Sequence, residues 1–215
     1  MYKIIFFDLD NTIYPADSGL WEAIGGRINL FMSIKLGVKD EDLIPLRKYC
    51  RINFGTTMKG LKELYQFDEE EYLDYVHDID LHQYLNPDSR YKHLFASYDL
   101  RKAVFTSADK KHANRILDFY GINHFFERVI DIHDTSPYVK PQQEAFLKAL
   151  DLSEIMSPKE CVFIDDQFDN IIQAKELGFW AIYVNPHNFD NYPDCIPTIL
   201  DLPSILTPHS NNKVN

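Results

Sequence analysis

Cysteine is scarce. Cys50, Cys161 and Cys195 are the only three in 215 residues, and none stands in a C-x-x-C pair. That spacing supports neither a disulfide framework nor a zinc site. The eight histidines are scattered, without the H-E-x-x-H pattern of a zinc hydrolase. Basic residues are outnumbered, 22 against 33 acidic ones, for a net charge of −11. Such a balance argues against a nucleic-acid polymer or an anionic membrane as partner. No apolar run approaches the ~20 residues that cross a bilayer. The run nearest the start, Ile4 to Phe7, is too short for a secretory signal and ends in Asp8. There are no internal repeats and no low-complexity tract. The expectation is a cytoplasmic protein, monomeric or homodimeric. Its hydrophobic content of 45% excludes a mainly disordered chain, and its length allows one well-buried α/β domain plus an insertion.

The rest is organised around Lys3-Ile4-Ile5-Phe6-Phe7-Asp8-Leu9-Asp10-Asn11-Thr12. Four apolar residues, β-branched and aromatic, read as a strand buried on both faces, as in a parallel sheet covered by helices. Ligands of such sheets bind beyond the strand carboxyl ends, where Asp8 sits. The period of two points Asp8 and Asp10 the same way if the extended run persists. Two close carboxylates repel, and a cation between them removes the penalty. A carboxylate can also attack phosphorus.

From Leu20 to Leu36 the apolar residues Leu20, Ile24, Ile28, Phe31 and Ile34 recur at helical spacing, with Ser18 to cap the start and Gly37 the end. Asp40 caps a second helix, in which Pro45 is awkward beyond the first turn. Two further short helices follow, the second capped by Asp68. Residues 16–85 are therefore expected to form an all-helical insertion, because no convincing strand occurs among them. From Arg101 the chain alternates as βα units. Strands are expected at 103–105, 128–132, 161–164 and 179–184, with short closing structure over 196–206. Helices are expected after Asp109, from Pro141, and from Asn170 to Leu177, stopped by Gly178. The expected domains are a Rossmann-like core from 1–15 and 86–207, a helical insertion over 16–85, and a polar tail over 208–215.

Four polar signals fall at or just beyond the carboxyl ends of expected strands: Asp8 with Asp10, Thr106 with Ser107, Lys140, and Asp165 with Asp166. Each alone is an ordinary turn or cap. A parallel sheet brings them to one edge.

At that point the sequence resembles the haloacid dehalogenase-like hydrolase superfamily, through FFDLDNTIY, VFTSA, VKP and VFIDDQFDNIIQAKELG in the order and spacing of that family. The resemblance implies a Rossmann-like parallel sheet with a helical cap after the first strand. It implies a Mg²⁺-dependent phosphatase or phosphotransferase acting on a small phosphorylated metabolite. Carried over by position, Asp8 is the nucleophile and Asp10 the general acid and base. Lys140 neutralises charge on Asp8 and the phosphate. Thr106 and Ser107 hold phosphate oxygens. Asp8, Asp166 and the backbone carbonyl of Asp10 hold Mg²⁺, with Asp165, Asp169 and Asn170 in supporting or water-mediated positions. Ser107 departs from the Asn or Gly of many relatives but keeps a hydroxyl donor.

Within the superfamily, DLDNTIYP, YCRINFGTTMKGL and FTSADKKHANRIL are similar to the pyrimidine 5′-nucleotidase-type branch. That likeness implies a nucleoside 5′-monophosphate as substrate, with Tyr14, Tyr49, Phe54 and Lys59 as candidates to contact base or ribose. Alternatives are a sugar-phosphate mutase or phosphotransferase of the same fold, and a non-catalytic phosphate-binding or receiver-like module. The Asp8-x-Asp10 order and the large insertion count against a receiver.

Overall fold

The computed structural model describes residues 2–188 and 191–208. Of the expected tail, all but Pro208 lies outside them. Among the described residues, six parallel strands form one sheet: β1 (Ile4–Phe7), β2 (Arg101–Phe105), β3 (Arg128–Ile130), β4 (Cys161–Asp165), β5 (Trp180–Val184) and β6 (Cys195–Ile196). Their order is β3-β2-β1-β4-β5-β6. The chain builds outward from β1 to one edge, then returns and builds from β4 to the other. The crevice between β1 and β4 is the switch point at which doubly wound sheets bind ligands.

Between β1 and β2 the described residues form helices and no strand: α1 (Leu20–Leu36), α2 (Asp40–Phe54), α3 (Thr57–Leu64), α4 (Glu69–His77) and α5 (Ser89–Ala96), with two short 3₁₀ turns. After β2 come α6 (Lys110–Tyr120), α7 (Ile132–Thr135), α8 (Gln143–Leu152) and α9 (Phe168–Leu177). β1 is apolar throughout because it is covered twice. Ile5 and Phe7 join one core, with Tyr91, Leu94 and Phe95 of α5 and Ala113, Ile116 and Leu117 of α6. Ile4 and Phe6 join the other, with Ala145, Phe146 and Ala149 of α8 and Ile171 and Ala174 of α9. Strand alternation sends neighbours to opposite faces, so a sheet with helices on both sides admits no polar position along β1.

Several local expectations change. The N-cap of α1 is Gly19, at φ 81°, while the Ser18 hydroxyl accepts from Leu20 N at 3.3 Å from one residue further out. Ile34 is 67% exposed and Met32 is buried in its place, so the buried stripe of α1 runs along 24, 28, 31 and 32. Lys39, not Asp40, caps α2, and Asp40 sits in its acidic first turn, where the helix dipole favours it. Pro45 lies inside α2 without ending it; the carbonyl it leaves unpaired belongs to exposed Glu41, where water can bond it. The third strand stops at Ile130, because Asp131 turns to cap α7: its carboxylate accepts from His133 N and Asp134 N. Pro141 does not open a helix. The next helix starts at Gln143, with Gln142 as its cap, so no helix dipole begins at Lys140. The closing structure is β6 and a 3₁₀ helix, Ile199–Ser204.

Candidate active site

β1 and β4 pair with Phe7 opposite Ile164, and Asp8 N donates to Ile164 O at 2.8 Å. Asp8 and Asp165 therefore leave the sheet side by side. Lys140 arrives from the loop after α7. Its Nζ lies 2.7 Å from Asp8 Oδ1, 2.7 Å from Asp165 Oδ2 and 2.8 Å from Phe105 O at the end of β2. All three side chains are buried, and the ammonium donates to three acceptors, which uses its full complement of protons. Burial would drive the proton off Lys140, but the charges of Asp165 and Asp8 outweigh it and hold the ammonium pKa above its ordinary value.

Asp165 is fully committed. Its Oδ1 accepts from Gln167 N at 2.8 Å and Asn170 Nδ2 at 2.9 Å, and its Oδ2 accepts from Lys140 and from Asn170 Nδ2 at 3.0 Å. Asp166 is only partly buried, and both its bonds fall on Oδ2: Asn11 Nδ2 at 3.4 Å and Gln167 Nε2 at 2.8 Å. Asp8 Oδ2 and Asp166 Oδ1 thus have no hydrogen bond among the described residues. Asp169 is exposed on α9 and stands apart from this group.

One carboxylate oxygen from each of Asp8, Asp165 and Asp166 lies within 4.8 Å of the others. Burial pushes Asp8 well above the carboxylate range; Lys140 pulls it back only in part, and Asp165, Asp166 and Asp10 push it further. Burial, then the charge of Asp165, pushes Asp166 up to about 7. Hard oxygen donors, surplus negative charge and two uncommitted oxygens suit a hard divalent cation such as Mg²⁺. The committed bonds of Asp165 leave Asp8 and Asp166 as the side chains able to hold it.

These shifts have a thermodynamic sign. Asp8 and Asp166 keep protons in the folded chain at pH values where the unfolded chain, with carboxylates titrating near 4, has released them. Their contribution to metal-free stability is therefore fully present at low pH and is lost as pH rises above the ordinary carboxylate range, for Asp166 through about 7. A divalent cation binds the ionised forms. Adding Mg²⁺ to chelator-treated protein should raise Tm more at pH 8 than at pH 5.5, as read by scanning fluorimetry. A Mg²⁺-induced rise equal at both values would exclude cation binding by these carboxylates.

Asp10 takes different partners, because the extended run ends at Phe7 and the chain turns, with Asn11 at φ 60°. Its Oδ1 accepts from Tyr14 Oη at 2.7 Å and from His112 Nε2 at 2.9 Å. Burial would raise the pKa of Asp10, but His112 and the two hydrogen bonds outweigh it and bring it below the ordinary value. Tyr14 is fully buried against Asp10, and burial, then the charge of Asp10 and the bond to it, raise its hydroxyl pKa and keep it protonated.

Thr106, at the end of β2 beside β1, is buried; its Oγ1 accepts from Ala108 N at 3.0 Å and keeps its own proton free to donate. Ser107 is half-buried next to it. The α2–α3 junction reaches this same edge. Gly55 has φ 81°, and a Cβ there would stand 2.5 Å from Val139 Cγ2 and 3.5 Å from Lys140 O. Phe54, half-buried, stands at that junction; the ring of half-exposed Tyr49 is 6.1 Å from it. Lys59 Nζ donates to Pro137 O, two residues before Val139. Sequence reasoning assigned no role to His112, His77, Asn11 or Gln167. The available signal for His112 was its place on the apolar face of α6 with Ala113, Ile116 and Leu117.

A family model described as haloacid dehalogenase-like hydrolase matches residues 2–178. Phosphate metabolism protein 8 of Saccharomyces cerevisiae is 27% identical over 190 residues, which are 82% of this chain and 59% of that protein. The chain thus spans less than two thirds of that relative's length. A HAD phosphatase from Thermococcus onnurineus is similar in structure, with a TM-score of 0.65 at 21% identity over 96% of this chain and 98% of that one. The HAD-hydrolase YfnB of Bacillus subtilis, bound to magnesium, has a TM-score of 0.63 at 18% identity over 96% and 99%.

Proposed function

The chain belongs to the haloacid dehalogenase-like hydrolases, and on that premise we propose that it is a Mg²⁺-dependent phosphatase of small phosphate monoesters, with nucleoside 5′-monophosphates as the favoured class. One observation carries the chemistry: Asp8 stands at the switch point with Oδ1 held by buried Lys140 and Oδ2 uncommitted. That is a positioned carboxylate nucleophile with its charge balanced.

Asp8 attacks phosphorus, and the bond to the leaving oxygen breaks as Asp10 donates its proton to that oxygen. The leaving alcohol departs and an aspartyl-phosphate remains on Asp8. Water then attacks phosphorus; one proton goes to Asp10, one stays on the phosphate, and Asp8 is restored. Thr106 and Ser107 would meet the phosphoryl oxygens with hydrogen bonds, while the ammonium of Lys140, its three protons already committed, would offer them its positive charge. Mg²⁺, held by Asp8 and Asp166 with Asp165 supporting Asp8 through Lys140, would supply positive charge against the nucleophile and phosphate together.

Residues 16–85 act in this reading as a cap that selects the leaving group. Its support is the contact of Gly55 with Val139 and Lys140, which sets the α2–α3 junction against the chemical edge. Changing Tyr49, Phe54 or Lys59 should reorder substrates while sparing p-nitrophenyl phosphate. Loss of one stacking contact costs ~1–3 kcal/mol for a base-bearing substrate, about fivefold to about 150-fold in kcat/KM. The test is phosphate release, with and without chelator, over nucleoside monophosphates, sugar phosphates, phosphoglycolate and pyridoxal phosphate. Undiminished turnover after chelation would rule out the metal. Equal losses on every substrate in folded cap variants would remove them from leaving-group selection. Phosphate release without an added acceptor separates hydrolysis from transfer to a second sugar.

A further inference from the structure

Two stacked imidazoles, buried His112 and half-buried His77, lie behind Asp10. His112, on α6, donates Nε2–H to Asp10 Oδ1 at 2.9 Å, and its side chain is 1% exposed. Nε2 must be the donating nitrogen, because an ionised carboxylate only accepts. Its Nδ1 has no hydrogen-bond partner among the described residues. His77, the last residue of α4, stacks on that ring with centroids 4.1 Å apart and planes 13° from parallel. His77 Nδ1 in turn lies 3.1 Å from Asp109 Oδ1, and Asp109 caps α6 by accepting from His112 N at 3.2 Å. Thus one carboxylate orients the start of α6 and touches His77, while the two rings are sandwiched between α4 and Asp10.

The bonding pattern makes the two oxygens of Asp10 unequal. Oδ1 already accepts from both Tyr14 Oη and His112 Nε2, whereas Oδ2 has no hydrogen bond among the described residues. A proton placed on Oδ1 would collide with two donors. A proton on Oδ2 would meet none.

We propose that His112, held by His77 from α4, is a positioning residue that makes Oδ2 the proton-carrying oxygen of Asp10 and turns it toward the leaving oxygen. This rests on the reading of Asp10 as general acid and base. His112 touches no reacting atom. It acts on the step in which Oδ2–H passes its proton to the ester oxygen while the P–O bond breaks, and on the return step in which Oδ2 takes a proton from water. His77 places the device under the control of α4, so the seating of that helix on α6 also sets the geometry of Asp10.

Leaving-group dependence tests this. An alkyl phosphate expels an alkoxide and needs the acid; p-nitrophenolate leaves without one. With saturating Mg²⁺, His112→Ala should lower kcat for glycerol phosphate about tenfold to a hundredfold, a share of the 10²–10⁴ that a positioned acid supplies. Single-turnover release of p-nitrophenolate should change less than about threefold, since that step draws on none of this. His112→Gln sets an amide N–H near the position of Nε2 and should restore most of the alkyl-ester rate. His112→Asn, whose amide ends near the position of Nδ1, should not. His77→Leu, which keeps bulk but loses the stacked ring, should show a weaker form of the same selectivity.

Equal loss on both esters in folded His112→Ala, or no loss on either, would overturn the proposal. If His112→Ala does not fold, the Gln and Asn variants carry the test, and equal rates for the two on the alkyl ester overturn it. Asp10→Asn separates this proposal from the reading beneath it. Should Asp10→Asn slow single-turnover release of the leaving group from both esters equally, the acid role of Asp10 itself fails; should it be selective while His112→Ala is not, only the positioning role fails.

Discussion

Asp8→Asn should abolish turnover, lowering kcat by at least about 10⁴-fold, in line with what removal of a covalent nucleophile does elsewhere. An amide cannot form the aspartyl-phosphate. The fold should not suffer, because the Asp8 backbone bond to Ile164 remains and the amide oxygen can still accept from Lys140. Burial disfavours the Asp8 charge strongly enough to raise its pKa well above the usual range, so a neutral isostere relieves repulsion with Asp165, Asp166 and Asp10. Metal-free Asp8→Asn should therefore melt no lower than the parent at pH 8, while the rise produced by Mg²⁺ shrinks. Intact-mass analysis after acid quench should find a phosphorylated form of the parent and none of the variant. Near-full turnover in a variant shown by mass to be free of deamidation would exclude the covalent route.

Lys140→Met should be the most damaging single change to stability. Lys140 and Asp165 are 4% and 0% exposed, and the ammonium is the cation that both Asp165 and Asp8 bond. Removing one partner of a buried ion pair leaves an uncompensated charge and costs about 3–5 kcal/mol. Here two carboxylates lose their cation at once. The part of the penalty on Asp8 falls on its ionised form, so it should be larger at pH 8 than at pH 5, where protonation of Asp8, already favoured by burial, relieves it, and Mg²⁺ should recover part of it. Urea titrations at the two pH values, each with and without Mg²⁺, measure this. Turnover should fall with it, because the nucleophile loses its orienting bond and the phosphate loses a positive charge. A pH-independent loss of stability would mean that Lys140 matters for packing against Phe105 and Phe163, whose rings its Nζ also overlies at 5.0 and 5.4 Å, and not for charge.

What was legible and what was not divides by range. The apolar run Ile4–Phe7, the capping aspartates Asp68 and Asp109, and the glycines Gly37, Gly121 and Gly178 that end helices act over a few residues, and their signals lie within the same few residues. The boundary errors came from competition at equal range: Asp131 had to choose between extending β3 and capping α7, and its two backbone bonds decided for the cap. Tyr14 looked like a ligand platform, yet it is fully buried with its hydroxyl on Asp10, a contact that only the turn after β1 makes possible.

By itself the sequence determined the doubly covered parallel sheet, the helical block after β1, and the set of polar residues at strand ends, because periodicity and punctuation are properties of neighbouring positions. The division of labour among the acids was decided by tertiary structure alone. Asp165 and Asp166 are adjacent and chemically identical, and nothing local tells them apart. Strand pairing of β1 with β4 sets Asp165 level with Asp8, Lys140 arrives between them from a distant loop, and Asn170 closes on the same carboxylate. That consumes Asp165 and leaves Asp166 with a free oxygen. His112 was likewise invisible as a partner of Asp10, 102 residues away. A hydrogen bond requires a direction and about 3 Å, and only the packing of α6 and α4 against the β1 edge supplies both.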